Sequence, residues 1–260
     1  MSQEVPQEEG QEDSFMSHLI ELRARLIRAV LAVLAVFVVL FLYPGTAKIY
    51  DLLARPMLSS LPEGTHMIAI GVITPFMVPL KVTMMAAFVI ALPVVLWQAW
   101  AFVAPGLYKH EKRLALPLII STTVLFIAGM AFCYFVVFHT IFHFIANIAP
   151  TSITTAPDIE AYLGFVMTMF LAFGITFEVP VVVVLLVRFG VVEVKKLAAA
   201  RGYVVVGAFV IAAVVTPPDV VSQFLLAVPL CLLFELGLIC ARMVTPKKAG
   251  DTENALVEKE

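Results

Sequence analysis

The chain has 260 residues, 62% hydrophobic and 14% charged, with a formal net charge of -2 and a mean hydropathy of +1.01. That composition excludes a soluble globular domain, because apolar runs able to cross a hydrocarbon core of about 30 Å recur along it. The length accommodates about six such segments and their loops, in one integral membrane domain.

Residues 1–13 are polar, charged and free of aromatics, and read as a disordered tail; residues 246–260 read the same way. Residues 14–245 form the membrane domain. No cleavable signal peptide is expected: the flank is acidic (Glu4, Glu8, Glu9, Glu12, Asp13) and the first apolar stretch is too long for an h-region. Residues 15–28 place Leu19, Leu22 and Leu26 on one helical face and Glu21, Arg25 and Arg28 on the other. Such a helix is expected to lie in the headgroup plane before turning into the bilayer, and its lone carboxylate is the residue that lipid does not explain.

The first membrane helix is predicted at 26–43, ended by Pro44–Gly45, and is followed by a polar loop with Pro56, Pro62 and Gly64. The second is predicted at 76–101, the third at 114–138 and the fourth at 161–187. Residues 203–216 and 220–241, separated by Pro217, Pro218 and Asp219, complete the set. The fifth, 14 residues or about 21 Å, is short of the hydrocarbon core. Pro229 and Glu235 interrupt the sixth, so the last two are expected to form a short hairpin that thins the bilayer or stops partway. Pro79, Pro93, Gly129, Gly174 and Pro180 predict kinks. The fold expected is an all-α integral membrane protein, a kinked six-helix bundle with a concave face.

Fourteen of the 17 lysines and arginines fall on one side if the segments alternate, which makes that side cytoplasmic, with both termini there. Cys133, Cys231 and Cys240 lack the spacing of a disulfide framework or a zinc site and read as small buried hydrophobes. His139 and His143 have metal spacing but no third ligand nearby, so an interfacial helix face is expected instead. No Gly-x-Ser-x-Gly, His-Glu-x-x-His or phosphate-binding glycine loop occurs, so neither an enzyme nor a cofactor is expected.

Glu178 is the only charge in residues 161–187. At that depth its default reading is functional: a docking point, a proton site or a substrate contact. The alternative is a protonated carboxyl bonded to carbonyls freed by Pro180. Glu111, flanked by Lys109, His110, Lys112 and Arg113, reads in isolation as a solvated loop charge. Glu21 reads in isolation as the i,i+4 partner of Arg25. Together they place two carboxylates on one basic surface, able to grip a pair of guanidinium groups. Asp219 reads most simply as a helix N-cap.

The motifs SHLIELRARL, WAFVAPGLYKHEKR, FEVP and TPPD, in this order from Ser17 to Arg242, resemble the TatC family, the multi-spanning core subunit of the twin-arginine protein translocase, especially its proteobacterial members. The resemblance implies a signal-peptide receptor of the bacterial inner membrane. It would export folded proteins using the proton-motive force, without nucleotide hydrolysis. It also implies that Glu21 and Glu111 recognise the consecutive arginines of the signal, with Arg23, Phe102 and Pro105 in the same binding region. Glu178 and Asp219 match the family's acidic positions, and Pro56 a sensitive proline of the first outer loop. Thr216 and Gln223 bracket the hairpin where TatA- and TatB-like single-span subunits dock in a self-associating hetero-oligomer. The lipid bilayer is a partner and nucleic acid is not. A proton-coupled small-solute transporter using Glu178 is the alternative; it predicts an inverted repeat, and no convincing repeat is found.

Arginine recognition fits elementary chemistry. A guanidinium demands planar oxygen acceptors rather than any point charge. An exposed pair contributes about 1 kcal/mol or less, so the hydrophobic part of a signal must supply the rest of the binding.

Overall fold

The computed structural model describes residues 7–59, 67–103, 115–148, 156–216 and 219–244. Among them, five helices are long and apolar enough to cross a membrane: Met16–Leu42, Thr74–Phe102, Leu116–Ile145, Ile159–Arg188 and Val220–Met243; Arg201–Val215 is a shorter apolar helix. The protein is an all-α membrane protein. Residues 1–127 with 134–167 form one compact unit, and residues 128–133 with 168–260 form a second.

In the first unit, α1 (Gln7–Leu42) is one continuous helix of 36 residues. The interfacial helix expected to turn at residues 15–28 is therefore not a separate element, and residues 7–13, assigned above to a tail, form its first turns. Within α1 there is no proline, and no glycine after Gly10. The Leu, Ala, Arg and Glu of this stretch are good helix formers, so nothing breaks the backbone ladder. Gly45, at φ 94°, makes the turn that ends it. Along α1 the half-covered residues are Glu21, Ala24, Arg25, Ala29, Ala32, Val33, Val36, Phe37 and Leu40, one stripe at helical period. This stripe accompanies packing against α3 (Thr74–Val103), while Leu19, Leu22 and Leu26 are exposed. Glu21 and Arg25 of the charged face are thus half-covered, whereas Arg28 is exposed.

The outer loop expected at Pro56 is largely helix α2 (Thr46–Leu58). Ile49, Leu52, Leu53, Pro56 and Met57 recur at helical spacing, and Leu53 and Ala54 are buried where α2 packs on α3 and α5. Pro56 lacks the N–H that the Leu52 carbonyl would accept from one turn on. The Tyr134 hydroxyl donates to that carbonyl instead, at 2.8 Å, and the Tyr162 hydroxyl donates to Leu53 O at 2.9 Å. Two side chains from the long spans therefore hold the C-terminal turn of α2.

The third span exceeds its expected end. It comprises α4 (Ala115–Phe132), a π-turn (Cys133–Val137) and α5 (Phe138–Ile148). Cys133 is buried, as expected, whereas Cys231 and Cys240 are only half-buried. Phe138 packs on Phe142 and Phe165, and Phe142 on Tyr162, giving α5 and α6 (Ile159–Phe177) an aromatic core. At the start of α6, Glu160 bonds Thr74 and Lys81 of α3 at 3.3 and 3.2 Å.

In the second unit, α6 stops at Phe177 and α7 (Val179–Arg188) begins beyond Glu178. The predicted fourth helix is thus interrupted where Pro180, at the start of α7, removes an N–H. By contrast α3 runs through Pro79 and Pro93 as one helix. Gly129 is a contact site: a Cβ there would lie 2.5 Å from the Phe173 carbonyl oxygen. Gly237 does the same for α7, where a Cβ would stand 2.9 Å from Pro180 Cα. Such small residues let helices approach closely where lipid supplies no hydrophobic drive between them.

Short α8 (Val194–Ala199) leads into α9 (Arg201–Val215), whose 15 residues agree with the expected short fifth helix. The sixth helix is not short. Helix α10 (Val220–Val244) has 25 residues, about 37 Å, and runs through Pro229. Glu235 does not interrupt it, because Arg201 of α9 donates Nε and Nη2 to its two oxygens at 2.5 and 2.9 Å. Val183 and Val187 of α7 and Phe234, Leu238 and Ala241 of α10 form the core of this unit.

Tyr134→Phe is expected to lower stability by about 1 kcal/mol through the lost bond to Leu52 O. The loss should shrink in a Pro56→Ala background, where the restored N–H satisfies that carbonyl. Thermal unfolding of the four proteins of this cycle in detergent tests the coupling, and equal losses in both backgrounds would refute it.

Candidate functional site

Helix α1 enters its packing against α3 at His18, whose ring stacks on Phe102 with centroids 4.3 Å apart and planes at 22°. Because the N-terminal part of α1 meets the C-terminal part of α3, the two helices run antiparallel. Glu21 follows His18 by one turn and Arg25 follows Glu21 by another, all on the face turned towards α3. Sequence reasoning had marked Glu21 and Phe102 and missed His18. The only signal available for His18 was its place three residues before Glu21.

Arg25 donates to Glu21 Oε1 through Nε at 2.9 Å and through Nη2 at 2.5 Å. Both bonds end on the same oxygen, and among the described residues Oε2 accepts none. The two side chains are 21% and 35% exposed, Arg25 and Glu21 respectively, so the carboxylate is half open to an incoming donor. The bland sequence reading of Glu21, as partner to Arg25, is what the structure contains. Such an i,i+4 pair contributes about 0.5 kcal/mol or less, so it holds the carboxylate without locking it. Arg23 and Arg28 are exposed. Glu111 and Pro105 lie outside the described residues. Pro56 belongs to α2, one turn beyond the carbonyl held by Tyr134.

The remaining marked residues fall in the second unit. Glu178 is half-buried at the α6–α7 break, and its Oε1 is buried without a hydrogen-bond partner among the described residues. The alternative in which carbonyls freed by Pro180 satisfy it finds no such bond here. Thr216 is buried and its hydroxyl donates to Ala212 O of its own helix at 2.8 Å. Asp219 Oδ1 accepts from the Ser222 backbone N–H at 2.7 Å, which makes Asp219 the N-cap of α10. Gln223 is half-buried one turn into that helix. His143 is bonded by Asn147 Nδ2 at 2.8 Å on the same face of α5. Among the described residues, no group of three His, Cys, Asp or Glu stands close enough to hold a metal ion.

Residues 17–229 match the family described as Sec-independent protein translocase protein (TatC). The chain belongs to the TatC family. It is 48% identical over 232 residues to the Sec-independent protein translocase protein TatC of Escherichia coli, covering 89% of each chain. It is 51% identical over 228 residues to the TatC of Halothiobacillus neapolitanus, covering 88% of this chain and 62% of that relative. The fold superposes on a crystal structure of the twin arginine translocase receptor TatC with a TM-score of 0.76 and 37% identity, covering 88% of this chain and all of that one. These likenesses favour a translocase component over the solute carrier considered from Glu178.

Asp219→Ala is expected to cost about 1 kcal/mol of stability by removing the cap bond to Ser222 N, and Asp219→Asn to retain most of it. Thermal unfolding of the two variants checks this. Equal loss in both would mean that charge, not capping, is what Asp219 supplies.

Proposed function

We propose that this chain is the signal-peptide receptor and core subunit of a twin-arginine translocase, exporting folded proteins across the bacterial cytoplasmic membrane on the proton-motive force. Both termini face the cytoplasm, and Glu21 and Glu111 on that face accept the consecutive arginines of the cargo signal. The observation that carries the site is the Glu21 carboxylate. It already holds a guanidinium on Oε1, leaves Oε2 unbonded among the described residues, and stands one turn from the His18–Phe102 stack. Phe102 offers apolar surface beside it, and Pro105 and Arg23 are assigned to the same binding region. The protein binds and assembles; it is not an enzyme and needs no cofactor.

Glu178, Thr216, Gln223 and Asp219 form the proposed docking region for TatA- and TatB-like single-span subunits. An intramembrane carboxylate with an unpartnered oxygen is costly unless a partner supplies a donor. Pro56 is proposed to shape the periplasmic α2, through the carbonyl it leaves to Tyr134.

Changing Glu21 and Glu111 together to Gln is expected to abolish crosslinking of a twin-arginine peptide while membrane levels of the protein stay unchanged. Unaltered crosslinking in the double variant would sink the site assignment. Glu178→Gln is expected to leave peptide crosslinking intact and to weaken co-purification of the single-span subunits. Normal co-purification would remove Glu178 from the docking region.

A further inference from the structure

The acceptor of the proposed site is not empty in the resting chain: Arg25, one turn away on the same helix, occupies it. Its two donors reach Glu21 Oε1, the same kind of contact that a cargo arginine would need. The pair is short-range and partly exposed, a class of interaction weak enough to exchange. Exchange also needs somewhere for the displaced guanidinium to go.

Gln98 provides that place. It lies one turn before Phe102 on α3, on the same face of the helix. With His18 stacked on Phe102 and the helices antiparallel, Gln98 lies about 6 Å back along α3, a level between Glu21 at about 4.5 Å and Arg25 at about 10.5 Å forward along α1. Gln98 Oε1 is buried and has no hydrogen-bond partner among the described residues. A buried acceptor left unpaired on the face of α3 that meets α1 favours any donor brought to it.

We propose that Arg25 is a built-in competitor for the cargo arginine: it holds Glu21 in the resting chain and passes to Gln98 Oε1 when a signal arginine takes its place. The proposal rests on the reading of Glu21 as the arginine acceptor. Oε2 makes the first contact, but a ligand that also takes Oε1 must displace Arg25, so the competitor lowers the affinities of all such ligands by one common factor. It sets the threshold of the site and leaves its preference among peptides unchanged.

The test is the affinity of the full chain in lipid nanodiscs for two fluorescent signal peptides, one with Arg-Arg and one with Lys-Lys, read by anisotropy. Arg25→Gln is expected to tighten both by the same factor, about twofold. Arg25→Lys, which keeps the charge but loses the planar fork, should tighten both as well, and it also serves if Arg25→Gln fails to fold. Arg28→Gln removes a nearby charge without freeing Glu21 and should leave both affinities unchanged. Gln98→Leu should weaken binding in the parent chain and have no effect in the Arg25→Gln background. Weakening or no change on Arg25→Gln overturns the competitor role, as does equal tightening by Arg28→Gln. Equal loss from Gln98→Leu in both backgrounds overturns the acceptor role. Glu21→Gln separates the two levels: if it fails to weaken binding, the receptor site itself is wrong. If it weakens binding while Arg25→Gln does not tighten it, only the competitor is wrong.

Discussion

Inside hydrocarbon, water is not available to a backbone amide, so each N–H and C=O must find its partner within the chain. Most features of this molecule follow from that constraint. It makes the spans helical and nearly continuous, and it decides what surrounds each break. At Pro56 the freed Leu52 carbonyl is taken up by the Tyr134 hydroxyl. At the start of α10 the Ser222 N–H is taken up by Asp219. At Glu178 the helix stops and restarts around Pro180, and a carboxyl oxygen is left over. At the first two breaks a side chain of the chain itself takes up the freed backbone group, whereas at Glu178 a buried carboxyl oxygen finds no partner among the described residues.

The same logic shapes the end of the α1–α3 pair. A charged residue is easily drawn as pointing away from a membrane protein. Here the stripe of α1 that carries Glu21 and Arg25 is the covered one, and the leucines face outward, as expected when the surroundings are lipid rather than water. Glu21 is thereby half-sheltered, which strengthens its bonds to a cation relative to those of a fully solvated loop carboxylate.

Much of the fold was legible because membrane helices announce themselves by length and hydropathy. The second span, the short fifth helix and the N-cap at Asp219 were all read from residue pattern. The misreadings share a cause. Proline and charge were treated as terminators, yet α10 runs through Pro229, and Glu235 is neutralised by Arg201, 34 residues earlier. Helix α2 was hidden by its polar residues, although its Ile49, Leu52, Leu53, Pro56 and Met57 kept helical period. Glu21, Phe102 and Glu178 were legible as chemistry out of place. His18 and Gln98 were not, because their significance depends on which face of α3 meets α1, and that is a tertiary fact.

The Arg201–Glu235 bond has a consequence for how the chain is made. Glu235 sits well inside α10, where a lone carboxylate opposes partition into lipid. Once α9 and α10 fold back on each other, the two charges cancel and the hairpin presents lipid with a dipole in place of two ions. Partition therefore favours the pair over either helix alone. The bond thus favours insertion of α9 and α10 together, as a hairpin in place of two separate spans.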